Sequence, residues 1–494
     1  MYILISKIKV SVLTLLMSLP LAIFAQNQTD TVSPILTDEE IPFRVRIELQ
    51  RNNRGENLVI PGGIQSYVWG DYNRKVLVLS GRTNGLHGFN SGDNPSNFPP
   101  QKQNQNVYVV DFENYKVYSR SLTDPQSGLT QEQIDSLTTT AAEHFCDGKS
   151  LYVVGGYGFR NSANAYTTFD VLTAIDLPGL INWVQYPEKK GSAAEHIRQV
   201  FDEQFRVTGG WLYRMTKKDP FLLVFGQDYE GAYLNHALQV YTNTVKRFFL
   251  HDDGCHLKVK FLPHAEVSDN YRRRDLNVVA MITEMGKRNK PQYGIVALSG
   301  VFTVDTGIWT VPVTITSKGV PSMANPSNPG TFKQGMNNYA SPFLSFYSKK
   351  TKTSYMSILG GISFETFSGG SFGQDYEYPF TNQCTTIKVD ANGVYTQHFM
   401  DTEFPMILST GSNAGNRLLF GAAADFIHDP TLVDLQYDHA IFKLDKIKKP
   451  TVIGHIIGGI QSTLPNTNYA SDSAASPYIF KVIVEPKNWD SSCR

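Results

Sequence analysis

Leu151-Tyr152-Val153-Val154-Gly155-Gly156 is a short apolar run closed by two glycines, and the same pattern returns along the chain. It is preceded by Val76-Leu77-Val78-Leu79-Ser80-Gly81 and followed by Phe221-Leu222-Leu223-Val224-Phe225-Gly226 and Ile295-Val296-Ala297-Leu298-Ser299-Gly300. Met356-Ser357-Ile358-Leu359-Gly360-Gly361, Leu418-Leu419-Phe420-Gly421 and Ile456-Ile457-Gly458-Gly459 complete the series. Self-similarity at tens of residues with strands as the unit marks a repeat architecture, and predicts an all-β chain folded as a β-propeller.

A propeller blade explains the pattern physically. Its second strand is covered on both faces and reads as continuous apolar sequence, while a terminal glycine adopts positive φ and admits the neighbouring blade's backbone. In the first blade this places Gly62 to Val68 innermost, then Val76 to Gly81, Asn106 to Asp111 and Lys116 to Ser121. Third strands are expected at Thr168 to Asp176, Ala237 to Tyr241, Cys384 to Val389 and His439 to Leu444, with short helices at Gln131 to Glu143 and Ala193 to Gln204. The first six runs are 60 to 75 residues apart and the seventh follows after only 38. The spacing predicts six, or else seven, four-stranded blades. Phe43 to Leu49 joining Tyr478 to Glu485 would close the ring with strands from both termini, leaving no open edge.

Lys7 and Lys9 precede an apolar run from Val10 to Phe24, and Ala25 stands before Gln26. A positive start, a short greasy core and a small residue at the break predict a signal peptide over 1–25, and so a periplasmic or extracellular protein with no membrane span after cleavage. A polar leader over 26–41, one propeller domain over 42–486 and a tail over 487–494 follow. Forty-five basic and 45 acidic residues cancel, so no long-range field recruits nucleic acid. Cys146, Cys255, Cys384 and Cys493 lie too far apart for a CxxC metal or redox site, and leave both disulfides and buried thiols open.

Gly155-Gly156 with Trp183, Gly360-Gly361 with Tyr376, Tyr378 and Tyr395, and the doublet Gly458-Gly459 resemble degenerate Kelch repeats. The Phe-Ala-Gln ending of the leader strengthens a resemblance to exported Kelch-like proteins of Bacteroidota. The resemblance implies a propeller and an exported location, and no particular activity.

Propeller ligands meet the mouth of the central channel, where innermost strands begin and loops after the second strands converge. That rule gathers Arg82, Glu143, His144, Tyr157, Gln227, Tyr271, Arg272, Arg274, Asp275, Asn337, Asn338 and Tyr339. Strand alternation would put Arg272 and Arg274 on one face and Arg273 on the other. Beside Asp275 such a pair binds a carboxylate or an acidic sugar, or else forms salt bridges between blades. Glu143-His144 is an acid/base pair only if both point one way, which adjacent strand residues do not. The loops Gly81 to Lys102 and Ser363 to Thr381 mix Tyr, Phe, Asn and Gly, residues suited to carbohydrate or protein contacts. No HExxH, EF-hand or histidine cluster calls for a metal, and no cofactor is expected. Two functions stand: a binding or scaffold module for a glycan or protein partner, and a sugar-active enzyme, mutarotase-like or a lyase, working at the channel mouth.

Overall fold

The computed structural model describes residues 32–488 apart from 91–93, 235–237, 286–290, 306, 412, 430–432, 435–438 and 468. The predicted cleavage segment and Cys493 lie outside the described residues. The chain is an all-β propeller with few helices. Five antiparallel sheets have four strands each: 68–121, 143–201, 211–262 and 277–323 in chain order, and a last one that orders as 425–428, 451–457, 479–486 and 43–49. Between the fourth and the last lies a seven-stranded sheet, whose meander of 343–348, 353–362, 380–389 and 395–403 carries three further strands. The expectation of six or seven uniform four-stranded blades is therefore corrected to five four-stranded sheets and one enlarged sheet.

The enlargement comes from strands borrowed at both edges. Ile35–Leu36 pairs in parallel with Gln397 and His398 on the outer strand, and Ser33 N donates to Lys333 O, so residues 32–41 run along this sheet rather than away from it. At the inner edge, His439–Lys443 pairs in parallel with 343–348. Ile441 is buried there in one cluster with Met215, Val278 and Ala280. The predicted third strand at His439 to Leu444 is thus an insertion, and the real third strand of the last sheet is Ile479–Pro486.

Phe43–Leu49 pairs antiparallel with Ile479–Pro486 over seven residues. Its alternation of buried Phe43, Val45 and Ile47 with exposed Arg44 and Arg46 is the pattern of a strand with one face on the core. Phe43 packs against Phe346 of the enlarged sheet with ring centres 4.7 Å apart, so the N-terminal strand seals the ring both by hydrogen bonds and by burial.

Several local assignments shift. The first innermost strand is Val68–Tyr72, not Gly62 to Val68. The third strand of the third sheet is Val245–Asp252, while Gln239–Tyr241 forms a hairpin with Gln227–Tyr229 above it. Leu177–Gln185 is an unexpected helix: Asp176 caps it, Pro178 occupies its first turn, and Trp183 packs its buried face against the first two sheets. Trp183 also lies under the Arg120 guanidinium at 4.1 Å. Cys146, Cys255 and Cys384 are free thiols.

Candidate functional site

Two backbone devices build the site, and both require left-handed residues. Ser66, Ala141, Gly209, Asp275, Ala340 and Ala423 each have φ between 46° and 67° and each precede an innermost strand by two or three residues. Their amides and carbonyls close a ring around the axis: Ala141 N donates to Ser66 O, Gly209 to Ala141, Asp275 to Gly209, Ala340 to Asp275, Ala423 to Ala340 and Ser66 to Ala423, at 2.7 to 3.1 Å. The amide and the carbonyl of each of these six residues are thereby satisfied without water.

The second device is the doublet after each second strand: 80–81, 155–156, 225–226, 299–300, 360–361 and 458–459 all have positive φ. The second glycine donates to the next sheet's approach to the ring, as in Gly156 N to Val207 O at 2.9 Å and Gly459 N to Ile64 O at 2.8 Å. Contact is so close that a Cβ on Gly155 would stand 2.1 Å from Val207 O. Gly421 belongs to a different class. It accompanies the approach to ring residue Ala423, and Phe420 O accepts from Gly361 N, so Leu418 to Gly421 is not a second strand. Removing it from the series accounts for the short final interval in the sequence.

Each doublet sends the chain upward, and the loops wall a cavity of about 740 Å³ whose floor is the ring. The floor holds Arg274. Its Nη1 donates to Gln227 Oε1 at 2.9 Å and Tyr241 Oη at 3.0 Å, its Nη2 to Tyr233 Oη at 3.2 Å, and its Nε to Asp275 Oδ2 at 3.2 Å. Burial disfavours the cation, but Tyr233, Tyr241 and Asp275 outweigh it and hold Arg274 firmly protonated. Burial raises the Asp275 carboxyl against the pull of Arg274. The wall opposite holds Arg82, whose guanidinium lies 4.0 Å over the Phe98 ring, with Nε on Asn84 Oδ1 at 2.9 Å and no hydrogen-bond partner for Nη2 among the described residues. Burial lowers Arg82 to about 10, still a cation at neutral pH.

Between the arginines sits His87. Its Nδ1 lies 2.8 Å from Gly88 O, which assigns the proton to Nδ1 and leaves the Nε2 lone pair free to accept. Burial drives the imidazole down to about 4, more than the Gly88 carbonyl restores, and the charges of Arg82 and Arg274 act in the same sense as burial. Aromatic rings make the remaining surface: His87 contacts Phe98 and Tyr233 at 5.4 and 4.5 Å, and Phe98 meets Tyr157 edge-on at 5.5 Å.

The cavity thus gathers Arg82, Tyr157, Gln227, Arg274, Asp275 and Tyr339 from the sequence set. The others lie elsewhere. Glu143 and His144 sit beneath the ring in a small axial space of about 110 Å³ that also exposes Asp425. There Glu143 Oε1 accepts from Gly210 N at 2.8 Å and Oε2 has no partner among the described residues. The Arg272 to Arg274 run is not a strand but a loop after a short 3-10 turn, so alternation does not apply to it. Arg272 lies 3.9 Å over Tyr241 and braces the loop of Phe302 through Thr303 O at 2.9 Å. Arg273 is wholly buried between Trp309 and backbone carbonyls such as Ser299 O. Tyr271 stacks on Phe225, and Asn337 and Asn338 tie backbone amides and carbonyls between sheets. The arginine pair of the site is Arg82 with Arg274, not Arg272 with Arg274.

Sequence reasoning missed His87, Phe98 and Tyr233. The loop composition of Gly81 to Lys102 is a signal for the first two, whereas Tyr233 lies between the paired strands Gln227–Tyr229 and Gln239–Tyr241, just before the Ala237 to Tyr241 segment that the sequence makes a third strand. Among the described residues, no group of three or more His, Cys, Asp or Glu side chains is arranged to hold a metal ion.

No family model matches the chain, and no curated protein matches it. Among solved structures it is similar to one described as "Structure of YjhT", at 10% identity and a TM-score of 0.44, with 86% of this chain and 98% of that chain covered.

Proposed function

We propose that this protein is an exported, Kelch-like binding module whose cavity takes a glycan bearing an acidic group. The observation that carries the reading is the placement of two buried guanidiniums, Arg82 and Arg274, in one aromatic-lined cavity whose floor offers a single carboxylate, Asp275. Glu377 and Asp472 also line the cavity, but Arg82 keeps an Nη2 with no hydrogen-bond partner among the described residues, and guanidinium geometry favours a carboxylate or sulfate over a neutral hydroxyl. Phenol and indole-free aromatic walls with amide side chains suit the alternating apolar and hydroxylated faces of a sugar ring. A concave site of this size suits a glycan better than the flat face of a folded protein. Export rests on the pattern of Lys7 to Ala25, and the Kelch-like reading on the glycine doublets.

Binding to a printed array of neutral, uronic-acid, sialylated and sulfated glycans tests the proposal. Retention of acidic glycans by the wild type, lost in Arg82→Ala at unchanged melting temperature, supports it. Equal retention of neutral and acidic glycans, or none at all, refutes it.

One observation favours the second reading, a sugar-active enzyme. His87 is a neutral imidazole inside the cavity whose Nδ1 is engaged by Gly88 O, which leaves Nε2 to accept a hydrogen bond from a sugar hydroxyl and orient it for reaction. Turnover of a bound sugar that vanishes in His87→Ala while binding persists would make the site catalytic, and binding without turnover would keep it a module.

A further inference from the structure

The site's depth and its mouth differ in chemistry. At the bottom lies the hydrogen-bonded ring, and below it Trp69 packs on His144 and His428 at 5.7 and 6.2 Å. A cavity that opens on the loop side and narrows to this ring suits the end of a chain better than its middle. At the mouth, two aromatic rings are left in water. Tyr469 is 74% exposed and Phe89 is 44% exposed, yet both line the cavity.

These rings stand on one anchored stretch of rim. The loop of Tyr469 is organised by the buried Asp472, whose Oδ2 accepts from Thr467 Oγ1 at 2.7 Å and whose Oδ1 accepts from Asn413 Nδ2 at 3.0 Å. The loop of Phe89 is tied to the same stretch, because Leu86 N donates to Ser473 Oγ at 2.9 Å. Ordered, solvent-facing aromatics leave apolar surface hydrated, and a partner that stacks on them recovers that free energy.

Resting on the acidic-glycan reading above, we infer that the cavity recognises the terminal unit of an oligosaccharide, with Tyr469 and Phe89 forming a second subsite that stacks the sugar next to it. The floor supplies charge selection and the rim supplies selection for chain length. Phe89 packs on His87 with ring centres 4.6 Å apart, so of the two rings Tyr469 is the one whose substitution separates the subsites.

The test is an array carrying each acid-terminated glycan as mono-, di- and trisaccharide, together with chains whose acidic unit is internal, probed with wild type, Tyr469→Ala and Phe89→Ala after each shows a wild-type melting curve. Expected is a gain of at least about tenfold from mono- to disaccharide in the wild type, corresponding to about 1.4 kcal/mol, its loss in either variant, and unchanged monosaccharide binding in Tyr469→Ala. Equal retention of mono- and disaccharide, an undiminished gain in both variants, or equal retention of internal acidic units overturns the inference while leaving the acidic-glycan reading intact. Failure of every acidic glycan, the monosaccharides included, overturns that reading and this one with it.

Discussion

Arg274 and Gln227 meet across the junction of the third and fourth sheets, Nη1 donating to Oε1 at 2.9 Å on the floor of the cavity. The bond fixes the guanidinium plane while Asp275 holds its other edge. Because both neighbours orient a planar fork, Arg274→Lys keeps the charge and loses the geometry. Affinity for an acidic glycan should fall by roughly 10- to 100-fold, the worth of one or two charge-assisted hydrogen bonds, with little change for any neutral sugar. Calorimetric titration checks this, and an unchanged affinity would remove Arg274 from the site.

Gly458 has φ +59° and would place a Cβ 2.3 Å from Ile64 O. Gly55 has φ +81° with nothing near its Cβ position. Gly55→Ala should therefore cost only the left-handed penalty of about 1–2 kcal/mol, and Gly458→Ala distinctly more, because rigid backbone lies in the way. Denaturant midpoints of the two variants give the comparison.

Phe43 is fully buried on the strand that closes the ring, against Phe346 and Tyr355. Phe43→Ala should lower stability by about 3–5 kcal/mol, and deletion of 26–50 should do so more severely by leaving Ile479–Pro486 an open edge. An unchanged melting transition in the deletion would show that closure contributes nothing.

Burial raises the Glu143 carboxyl from 4.5 to about 8 despite the Gly210 amide, and burial raises Asp425 to about 7. The folded form holds these protons more tightly than the unfolded chain, so stability declines as pH rises from about 4.5 to 8. His144 and His455 act oppositely: burial lowers them to about 4 and 3, and stability is lost as pH falls below 6.5. Glu143→Gln should remove the Glu143 share of the decline between about pH 4.5 and 8 and leave the loss below about pH 4.5 in place. Melting temperatures across pH decide it, and an unaltered decline would rule out the buried proton.

The propeller was legible because its repeat is carried by contiguous residues. A doubly covered strand must be apolar and its close-packed exit must be glycine, as at Gly155-Gly156, so local sequence records the fold. Leu418 to Gly421 shows where that reading stops: apolar residues and a glycine also serve an approach to the ring, and only the strand pairing separates the two uses. The loop around Arg272 to Arg274 shows it again. Alternation was assumed for a segment that the 3-10 turn at Asp269–Tyr271 holds out of any strand, and the three guanidiniums diverge to a loop brace, a buried core position and the cavity.

Half of the sequence-selected site residues converge in one cavity because the loops after second strands all rise on one side of the ring. Glu143 and His144 fail the rule by two and three residues, since the chain crosses the ring at Ala141 and everything after it points below. Ser66, Asp275 and Ala340 carry no local mark of left-handed conformation, for their φ is imposed by hydrogen bonds to ring neighbours on other sheets, as distant in sequence as Ala423 is from Ser66.

Strand content, the repeating unit and the glycine exits were determined by the sequence itself, since each depends on residues adjacent in the chain. The pairing of Arg82 with Arg274, the ring that divides cavity from axial space, and the seven-stranded sheet were decided by tertiary structure alone. Circular closure brings together residues nearly two hundred positions apart, and the energy of those contacts is absent from any local window of the chain.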